Sequence, residues 1–307
     1  MTTALKSAVP ASILTKADPN SPAFRVEGRR RIFLRAGTVV NFGAGGVENQ
    51  TEHEIVIGSS DLVPGTDFAI VVNDDGEAIA LPAGRTPEDG FVEIGGFHFA
   101  PGGNATARAG GDSEPAINPF SCWDLNFRPA CTDPRGMALV DLPGGSKIWV
   151  DIYKLNVNHM AGTSRFGVTI ADGVDLPLRI DGQGHYDALD YQTAVTILAH
   201  HGKQLLSYDE YRVAAFGVTE KTSAARDPKL TGLDAARTSQ RGIMQASGNL
   251  WDWGHDGDPD IPRASLFGGS WIDGSKAGSR YARLVFWPEF SYDSISARGR
   301  SDHLQLA

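Results

Sequence analysis

The chain has 307 residues, of which 41% are hydrophobic and 21% are charged, a composition that excludes a largely disordered protein. Its net charge of −9 argues against a nucleic-acid partner, because a phosphate backbone attracts basic surfaces. The length favours two domains, and the 36 glycines and 17 prolines predict many turns and short strands. No apolar run reaches the roughly 18 residues of a membrane-spanning helix, so we expect no membrane insertion.

The first 20 residues predict a flexible lead-in that ends in the turn-rich DPNSP. They contain no continuous apolar stretch of a signal peptide and no cysteine for lipidation. Residues 21–118 predict a β domain, in which strand-like runs alternate with turn signals. One pair of runs predicts a hairpin around Asp75-Gly76, where glycine supplies the positive φ of a tight turn. The glycine-rich PGGNATARAGGDSEP predicts the domain boundary near residue 118.

The second domain, residues 119–307, begins with two strand-like runs on either side of Pro143-Gly144-Gly145. Two helices follow these strands. The first has apolar residues at helical spacing and Asp190 as its N-cap. The second has Ser207 and Glu210 at the spacing of a capping box. Together with the first domain, these elements predict a β-rich α+β fold.

Four segments of the second domain occur in a specific order. They are PGGSKIW, DYQTAVTILAHHGKQLLSYDEYRVAAFG, GNLWDW and RASLFGGSW. This order resembles the formylglycine-generating-enzyme variety of the C-type lectin fold, from about Phe127 to the C-terminus. The resemblance implies that the N-terminal β domain is followed by a C-type lectin-like domain with two helices and short strands.

The C-terminal segment FGGSWIDGSKAGSRYARLVFWPEFSYDSISARGRSDHLQL narrows the resemblance. It is similar to the variable region of proteins that are diversified by diversity-generating retroelements, and FRPACTDPRGM is typical of the phage-borne members. The resemblance implies a receptor-binding tropism protein in the tail of a phage virion, which binds a host cell-surface protein or glycan. It also implies a homotrimer whose N-terminal domain serves attachment to other tail components. The alternative is a diversified binding protein of the bacterial cell surface, which no secretion signal supports.

In this family, replacement of adenines converts asparagine-type codons into many others, but never into codons for Trp, Lys, Glu, Gln or Met. Nine positions match the asparagines of an ancestral pattern, and all nine carry residue types that such codons reach. They are Ile272, Asp273, Arg283, Val285, Phe286, Phe290, Tyr292, Asp293 and Ser294. Trp287 and Glu289, which such codons do not reach, lie between these positions.

The aromatic stretch LVFWPEFSY, residues 284–292, admits two interpretations. Aromatic residues are most often core. Irregular spacing around a proline favours a binding surface instead, because Tyr, Trp, Phe and Arg dominate protein-binding hot spots. We expect the variable binding face at about residues 267–295, with Trp271, Leu284 and Trp287 as core or scaffold. The expected ligand-binding residues are Ile272, Asp273, Tyr281, Arg283, Val285, Phe286, Phe290, Tyr292 and Asp293.

Four aspartates lie close together in WDWGHDGDPDIP, and oxygen-rich loops of this kind suit calcium. They are Asp252, Asp256, Asp258 and Asp260. The alternative is an acidic, solvated turn beside two buried tryptophans. The tripeptides Glu-Pro-Asn and Gln-Pro-Asp, with which lectins bind sugars through calcium, do not occur. Calcium is therefore possible, but the sequence requires no cofactor.

The catalytic alternative is a formylglycine-generating-type enzyme, and the sequence argues against it. Such enzymes use reactive cysteines in the C-terminal part of the domain, whereas no cysteine follows Cys131. His200 and His201 are adjacent on a helix and point about 100° apart, so they do not share one metal face. The remaining histidines, among them His159, are interpreted as isolated, hydrogen-bonded structural residues. We expect no enzyme, and Cys122 and Cys131 form either a small disulfide loop or two half-buried thiols.

Several residues outside the variable positions are expected to be structural. Trp251 and Trp271 lie in segments that resemble the fixed parts of the family. Arg298 and Asp302, in SARGRSD, are expected to form a charge pair or to bind buried carbonyls.

Overall fold

The computed structural model describes residues 13–42, 45–58 and 62–305, which form the expected β-rich α+β fold. The described residues include two α-helices, α1 (Tyr191–His200) and α2 (Tyr208–Ala214). They also include short 3₁₀ helices, at Pro119–Ser121, His159–Ala161, Ala235–Arg237 and Gly274–Lys276. No helix within these ranges is both long enough and apolar enough to cross a membrane.

The strands divide into an N-terminal and a C-terminal set. The N-terminal strands are β1 (Leu14–Thr15), β2 (Phe24–Glu27), β3 (Arg31–Leu34), β4 (Thr38–Asn41), β5 (Gly46–Asn49), β6 (His53–Glu54), β7 (Val56–Ile57), β8 (Thr66–Val72), β9 (Ala78–Pro82), β10 (Val92–Ala100), β11 (Ala116–Ile117) and β12 (Trp123–Asp124). The C-terminal strands are β13 (Met137–Asp141), β14 (Lys147–Asp151), β15 (Gln204–Ser207), β16 (Trp251–His255), β17 (Ala264–Phe267), β18 (Ala282–Arg283), β19 (Ile295–Ala297) and β20 (Gly299–Asp302).

The N-terminal strands form sheets that share one apolar core. Their orders are β1-β4-β5, β2-β3-β6 and β11-β10-β8-β9-β7, and β12 also pairs with β10. Phe68 of β8 stacks on Phe97 of β10, with 5.0 Å between the ring centroids. The predicted hairpin is confirmed, because β8 and β9 are antiparallel and Gly76 has a φ of +83° between them.

The beginning and the end of the N-terminal part are bound to each other. Residues 1–12 of the predicted lead-in lie outside the described residues, but β1 pairs with β4 and buries Leu14. The Lys16 ammonium lies 2.7 Å from the Asp124 carboxylate. The described part of the lead-in is therefore fixed to the fold rather than flexible, and β12 extends the N-terminal sheet past residue 118.

A mixed sheet organises the C-terminal part, in the order β13-β14-β20-β15-β16-β17-β18, with β19 paired to β16. The predicted hairpin of β13 and β14 is confirmed. Helix α1 begins where predicted, because the Asp190 carboxylate accepts the Thr193 amide at 2.7 Å. Helix α2 has the predicted capping box, in which Ser207 and Glu210 each accept the other's amide. Both helices pack apolar side chains against this sheet.

A buried histidine joins the two parts of the chain. His98 of β10 lies 2.9 Å from the Asp67 carboxylate through Nδ1 and 2.9 Å from the Tyr153 hydroxyl through Nε2. The Asp67 carboxylate also accepts the Gly136 amide. Since Tyr153 and Gly136 belong to the C-terminal part, this chain of polar contacts helps to fix how the two parts meet.

Arg298 is buried after β19 and donates to main-chain carbonyls, which confirms one of the two expectations for this residue. The four accepting carbonyls, at 2.8–3.3 Å, belong to Asp151, Ile152, Met244 and Gln245. The Asp252 carboxylate lies 3.8 Å from the Arg298 Nε and 2.7 Å from the ammonium of buried Lys154. Arg298 therefore satisfies buried main-chain groups that would otherwise lack donors, and Asp252 offsets part of the positive charge of Arg298 and Lys154.

Asp302 does not form the expected charge pair with Arg298. Its side chain is exposed and pairs with Arg300. Strand alternation explains the error, because the side chain of Ser301 points into the interior and that of Asp302 points out.

His159 is hydrogen-bonded as expected, but the interpretation that it is isolated from the other histidines is wrong. Its Nδ1 lies 3.0 Å from Nε2 of His201, and its Nε2 lies 2.7 Å from the Leu178 carbonyl. Burial lowers the pKa of both histidines, that of His201 to about 4. Both rings are therefore neutral at pH 7, so the pair is a hydrogen-bonded link between distant segments.

Cys122 and Cys131 are free thiols, and both are buried. Of the two interpretations, the thiols are confirmed and the disulfide is wrong. Burial raises the pKa of Cys122 to about 12 and also raises the pKa of Cys131. Neither sulfur is therefore a thiolate at neutral pH.

The variant Arg298→Lys should lower the free energy of unfolding by about 3 kcal/mol, because a single ammonium replaces a planar group that binds four buried carbonyls. Urea denaturation measures the change. Arg212→Lys is the matched control, since Arg212 is an exposed residue of α2. Equal losses in the two variants would contradict the role given to Arg298.

Candidate binding surface

Strands β16, β17 and β18 support the segment that the sequence predicts as the binding face. Strand β17 pairs with β16 on one side and with β18 on the other. Trp251 and Trp253 of β16 are buried and lie beneath the segment. After β18 the chain leaves the sheet and returns to it at β19, and residues 284–294 form this irregular connection. Pro288 in its middle prevents a regular helix.

Four aromatic side chains form a continuous row along the connection, and we call this row the aromatic ribbon. Its members are Phe286, Trp287, Phe290 and Tyr292, and the centroids of contacting rings lie between 5.2 and 5.7 Å apart. Trp287 and Phe290 are stacked, with an angle of 19° between their planes. Trp287 and Tyr292 are exposed, whereas Phe286 and Phe290 are half-buried. The ribbon therefore has an outer pair that faces solvent and an inner pair that faces the protein.

The inner pair connects the ribbon to the core. Phe286 lies 6.2 Å from Trp253, measured between ring centroids, and both inner rings pack against the apolar cluster of α1 and β16. The Arg283 guanidinium lies 4.8 Å from the Trp251 ring centroid and 5.9 Å from that of Phe286. The two expected interpretations of this stretch, core and binding surface, thus apply to different faces of the same row of rings.

Main-chain hydrogen bonds fix the path of the connection. Four of them join it to α1, β16, β17 and the loop before α1. They run from the amide of Phe286 to the carbonyl of Ala264 (2.7 Å), from Tyr191 to Pro288 (3.0 Å), from Gly173 to Tyr292 (3.0 Å) and from Trp251 to Ser294 (2.9 Å). In three of the four the connection contributes only a carbonyl, which every residue type possesses. Side chains there can change without loss of these bonds.

The remaining predicted binding residues differ in exposure. Ile272, Val285 and Asp293 are exposed, and Tyr281 is half-buried. Asp273 is largely covered, because its carboxylate accepts the amide and the hydroxyl of Ser270. Asp273 also lies 3.6 Å from the Arg283 guanidinium. Asp273 therefore orders the start of the surface and helps to position Arg283.

The prediction that Leu284 and Trp287 are core is wrong, since they are 49% and 66% exposed. Val285 has a φ of +59°, and this left-handed conformation interrupts the alternation of β18. As a result residues 283–285 all face solvent, and Phe286 turns inward. Trp287 is not among the residue types that adenine replacement produces, but this does not imply that it is buried. A position that stays constant in the sequence can still contact a partner. The sequence did contain one indication that these residues are exposed. The apolar run shows no alternation and is interrupted by Pro288, which is unusual for a buried strand or helix.

Three of the four aspartates of the calcium hypothesis have carboxylates that bind other protein groups. Asp252 is bound to Lys154, and the Asp256 carboxylate accepts the Arg263 guanidinium at 2.7 Å. Asp258 accepts the amides of Asp260 and Ile261. In the described part of the chain, no group of three or more acidic, His or Cys side chains is arranged to hold a metal ion. The structure therefore does not bring the aspartates together around one point.

The variant Val285→Asn should raise the free energy of unfolding by about 1 kcal/mol, because asparagine tolerates a left-handed backbone and a β-branched valine does not. Thermal and urea unfolding measure the gain. Leu284→Asn, at an exposed neighbour without a positive φ, is the control and should show no gain. A loss of stability in Val285→Asn would contradict the strain assigned to this position.

Known proteins resemble this chain over nearly its whole length. The family model described as the Mtd second domain matches residues 22–124. A tail fiber receptor-binding protein of Bordetella phage BPP-1 is 39% identical over 329 residues, covering 95% of this chain and 84% of the relative. The U1 variant of the major tropism determinant superposes with a TM-score of 0.87 at 38% identity, covering 95% of this chain and 86% of that one. The I1 variant gives 0.86 at 39% identity, with the same coverage.

These likenesses confirm the predicted architecture, in which an N-terminal β part precedes a C-type lectin-like domain. The solved relatives are 38% and 39% identical to this chain and cover 95% of it. The chain therefore belongs to the major tropism determinant family.

Proposed function

We propose that this protein is the receptor-binding protein of a phage tail and that it determines which host the phage recognises. The observation that carries the proposal is the aromatic ribbon, which exposes large apolar rings on a connection with a fixed main chain. Aromatic side chains supply much contact area for few rotamers, which suits a hot spot of recognition. The relative from Bordetella phage BPP-1 is itself a tail fiber receptor-binding protein, which supports a place in the virion tail.

A binding role without catalysis agrees with the side chains of the described residues. Both cysteines are buried with raised pKa values, so their thiolates are scarce at neutral pH. His159 and His201 form a neutral hydrogen-bonded pair rather than an exposed catalytic base.

The variable positions inferred from the codon pattern support diversification of this surface. None of the nine, from Ile272 to Ser294, is fully buried, whereas the next residue, Ile295, belongs to the core. A retroelement could therefore replace most of them without placing polar groups in the interior, whereas a change at Phe286 or Phe290 also affects packing. The gene should lie near a reverse transcriptase gene and a near-copy of its 3′ end that differs at adenines. Absence of both would contradict diversification.

The chemistry of the surface favours a host protein over a glycan. The segment from residue 267 to 295 also exposes the aliphatic side chains of Ile272, Leu284 and Val285, and aliphatic groups fit an apolar protein surface. Trp287 stacks on Phe290, which leaves less of its face free for a sugar ring.

Protease treatment of host cells should therefore abolish binding, and periodate oxidation of surface sugars should leave it intact. The reverse result would favour a glycan.

We also propose that the protein acts as a homotrimer, with the N-terminal β part attached to other tail components. Several weak contacts made at once raise the apparent affinity without any new contact chemistry. The His98 bridge supports this arrangement, because it would transmit a fixed orientation from the attached part to the binding surface. A mass of one chain in light scattering at micromolar concentration would contradict the trimer.

The variant Trp287→Ala should weaken binding of the purified protein to host cells by more than tenfold, because truncation of an aromatic anchor removes about 2 kcal/mol of binding free energy or more. Its free energy of unfolding should change by less than about 1 kcal/mol, since the side chain is largely exposed. Cell binding by flow cytometry and thermal unfolding measure the two effects.

Two controls bracket this variant. Trp253→Ala should cost about 3–5 kcal/mol of stability, because Trp253 is fully buried. Phe286→Ala should fall between the two variants, since Phe286 is half-buried against Trp253. If Trp287→Ala unfolds the protein as severely as Trp253→Ala does, the ribbon is core and the proposed function loses its basis.

A further inference from the structure

The loop that precedes α1 lies directly against the aromatic ribbon, although it is more than a hundred residues away in the sequence. The Gly173 amide donates to the Tyr292 carbonyl at 3.0 Å. A Cβ atom on Gly173 would lie 2.4 Å from the Tyr292 amide nitrogen, so only glycine permits this approach. The residue that follows, Val174, is therefore held beside the outer end of the ribbon.

Val174 is exposed in a position where its own turn cannot bury it. Its side chain is 67% exposed, and the turn around it contains polar residues, Asp172 and Asp175. A single exposed apolar residue needs no explanation. Here, however, Val174 directly follows Gly173, whose amide is bound to the Tyr292 carbonyl, so the exposed valine lies next to a segment that also exposes Trp287 and Tyr292.

The turn that carries Val174 is rigid. The buried Asp172 carboxylate accepts the amides of Val174 and Asp175, at 2.6 and 2.7 Å. The Lys229 ammonium lies 3.3 Å from the carboxylates of both Asp172 and Asp175. Because the turn is ordered before any partner arrives, a contact through Val174 costs little conformational entropy.

We propose that Val174 is a fixed contact for the receptor, outside the variable positions and independent of their sequence. This inference rests on the proposed function and adds a constant part to the variable surface. Val174 would contact the same apolar protein surface that the ribbon binds, because the hydrogen bond between Gly173 and Tyr292 holds Val174 next to the ribbon. A fixed apolar contact would give every variant a basal attraction on which the variable side chains impose specificity.

The test compares four variants in binding to intact cells of the host bacterium, with fluorescently labelled protein and flow cytometry. Val174→Asp should weaken binding by about tenfold, because it places a charge where apolar groups meet. Val56→Asp is the matched control, since Val56 is 61% exposed on β7 in the N-terminal part. Trp287→Ala reports on the ribbon itself. Thermal unfolding confirms that each variant is folded, and Val174→Ser provides a milder change at the same position.

Each outcome either supports or contradicts the proposal that Val174 contacts the receptor. Weaker binding of Val174→Asp and Val174→Ser, with parental binding of Val56→Asp, supports the proposal. If Trp287→Ala weakens binding and both Val174 variants bind like the parent, Val174 is not a contact, although the proposed function stands. If Val56→Asp weakens binding as much as Val174→Asp, the effect is one of charge and the proposal fails. If neither the Val174 variants nor Trp287→Ala change binding, the proposed function fails as well.

Discussion

The binding surface depends on one constraint, which is that main-chain hydrogen bonds hold residues 284–294 against segments that do not vary. The carbonyls of Pro288, Tyr292 and Ser294 accept amides from α1, from the loop before it and from β16. One of these donors, Tyr191, is the first residue of α1, whose amide has no partner within the helix. A connection held in this way is already ordered when a partner arrives, which lowers the entropic cost of binding.

The same geometry sets a limit on what the surface tolerates. Phe286 and Phe290 are half-buried and pack against the core, so a change there affects both packing and recognition. Trp287 and Tyr292 lack this double role because they face solvent. Stability comes instead from beneath the surface, where Trp253 and the Arg298 network are buried. The residues that stabilise the fold and the residues that face a partner thus differ in burial more than in their position along the chain.

Local signals in the sequence predicted the local structure well. The caps at Asp190 and Ser207 and the hairpin at Asp75-Gly76 depend on neighbouring residues, and each is found in the structure. The order of the four sequence segments predicted both the family and its C-type lectin-like architecture. Whole segments in a fixed order are characteristic of a family, and members of a family share a fold. The location of the variable surface followed from that resemblance.

Contacts between distant segments were not predictable in this way. His159 and His201 meet because the 3₁₀ helix His159–Ala161 lies against the C-terminal end of α1, and no local sequence pattern predicts that contact. The exposure of Leu284 and Trp287 depends on the positive φ of Val285, which a valine does not signal. The approach of Gly173 to Tyr292, which brings Val174 to the surface, likewise exists only in three dimensions.

The central claim is that the main chain of this connection keeps its path when its side chains change. The direct measurement is amide hydrogen exchange on a variant in which Arg283, Val285, Phe290 and Tyr292 are all replaced by asparagine. The account predicts that the amides of Gly173, Tyr191 and Phe286 remain as protected as in the parent, since their acceptors are main-chain carbonyls. Rapid exchange at these three amides in a variant that is otherwise folded would contradict it.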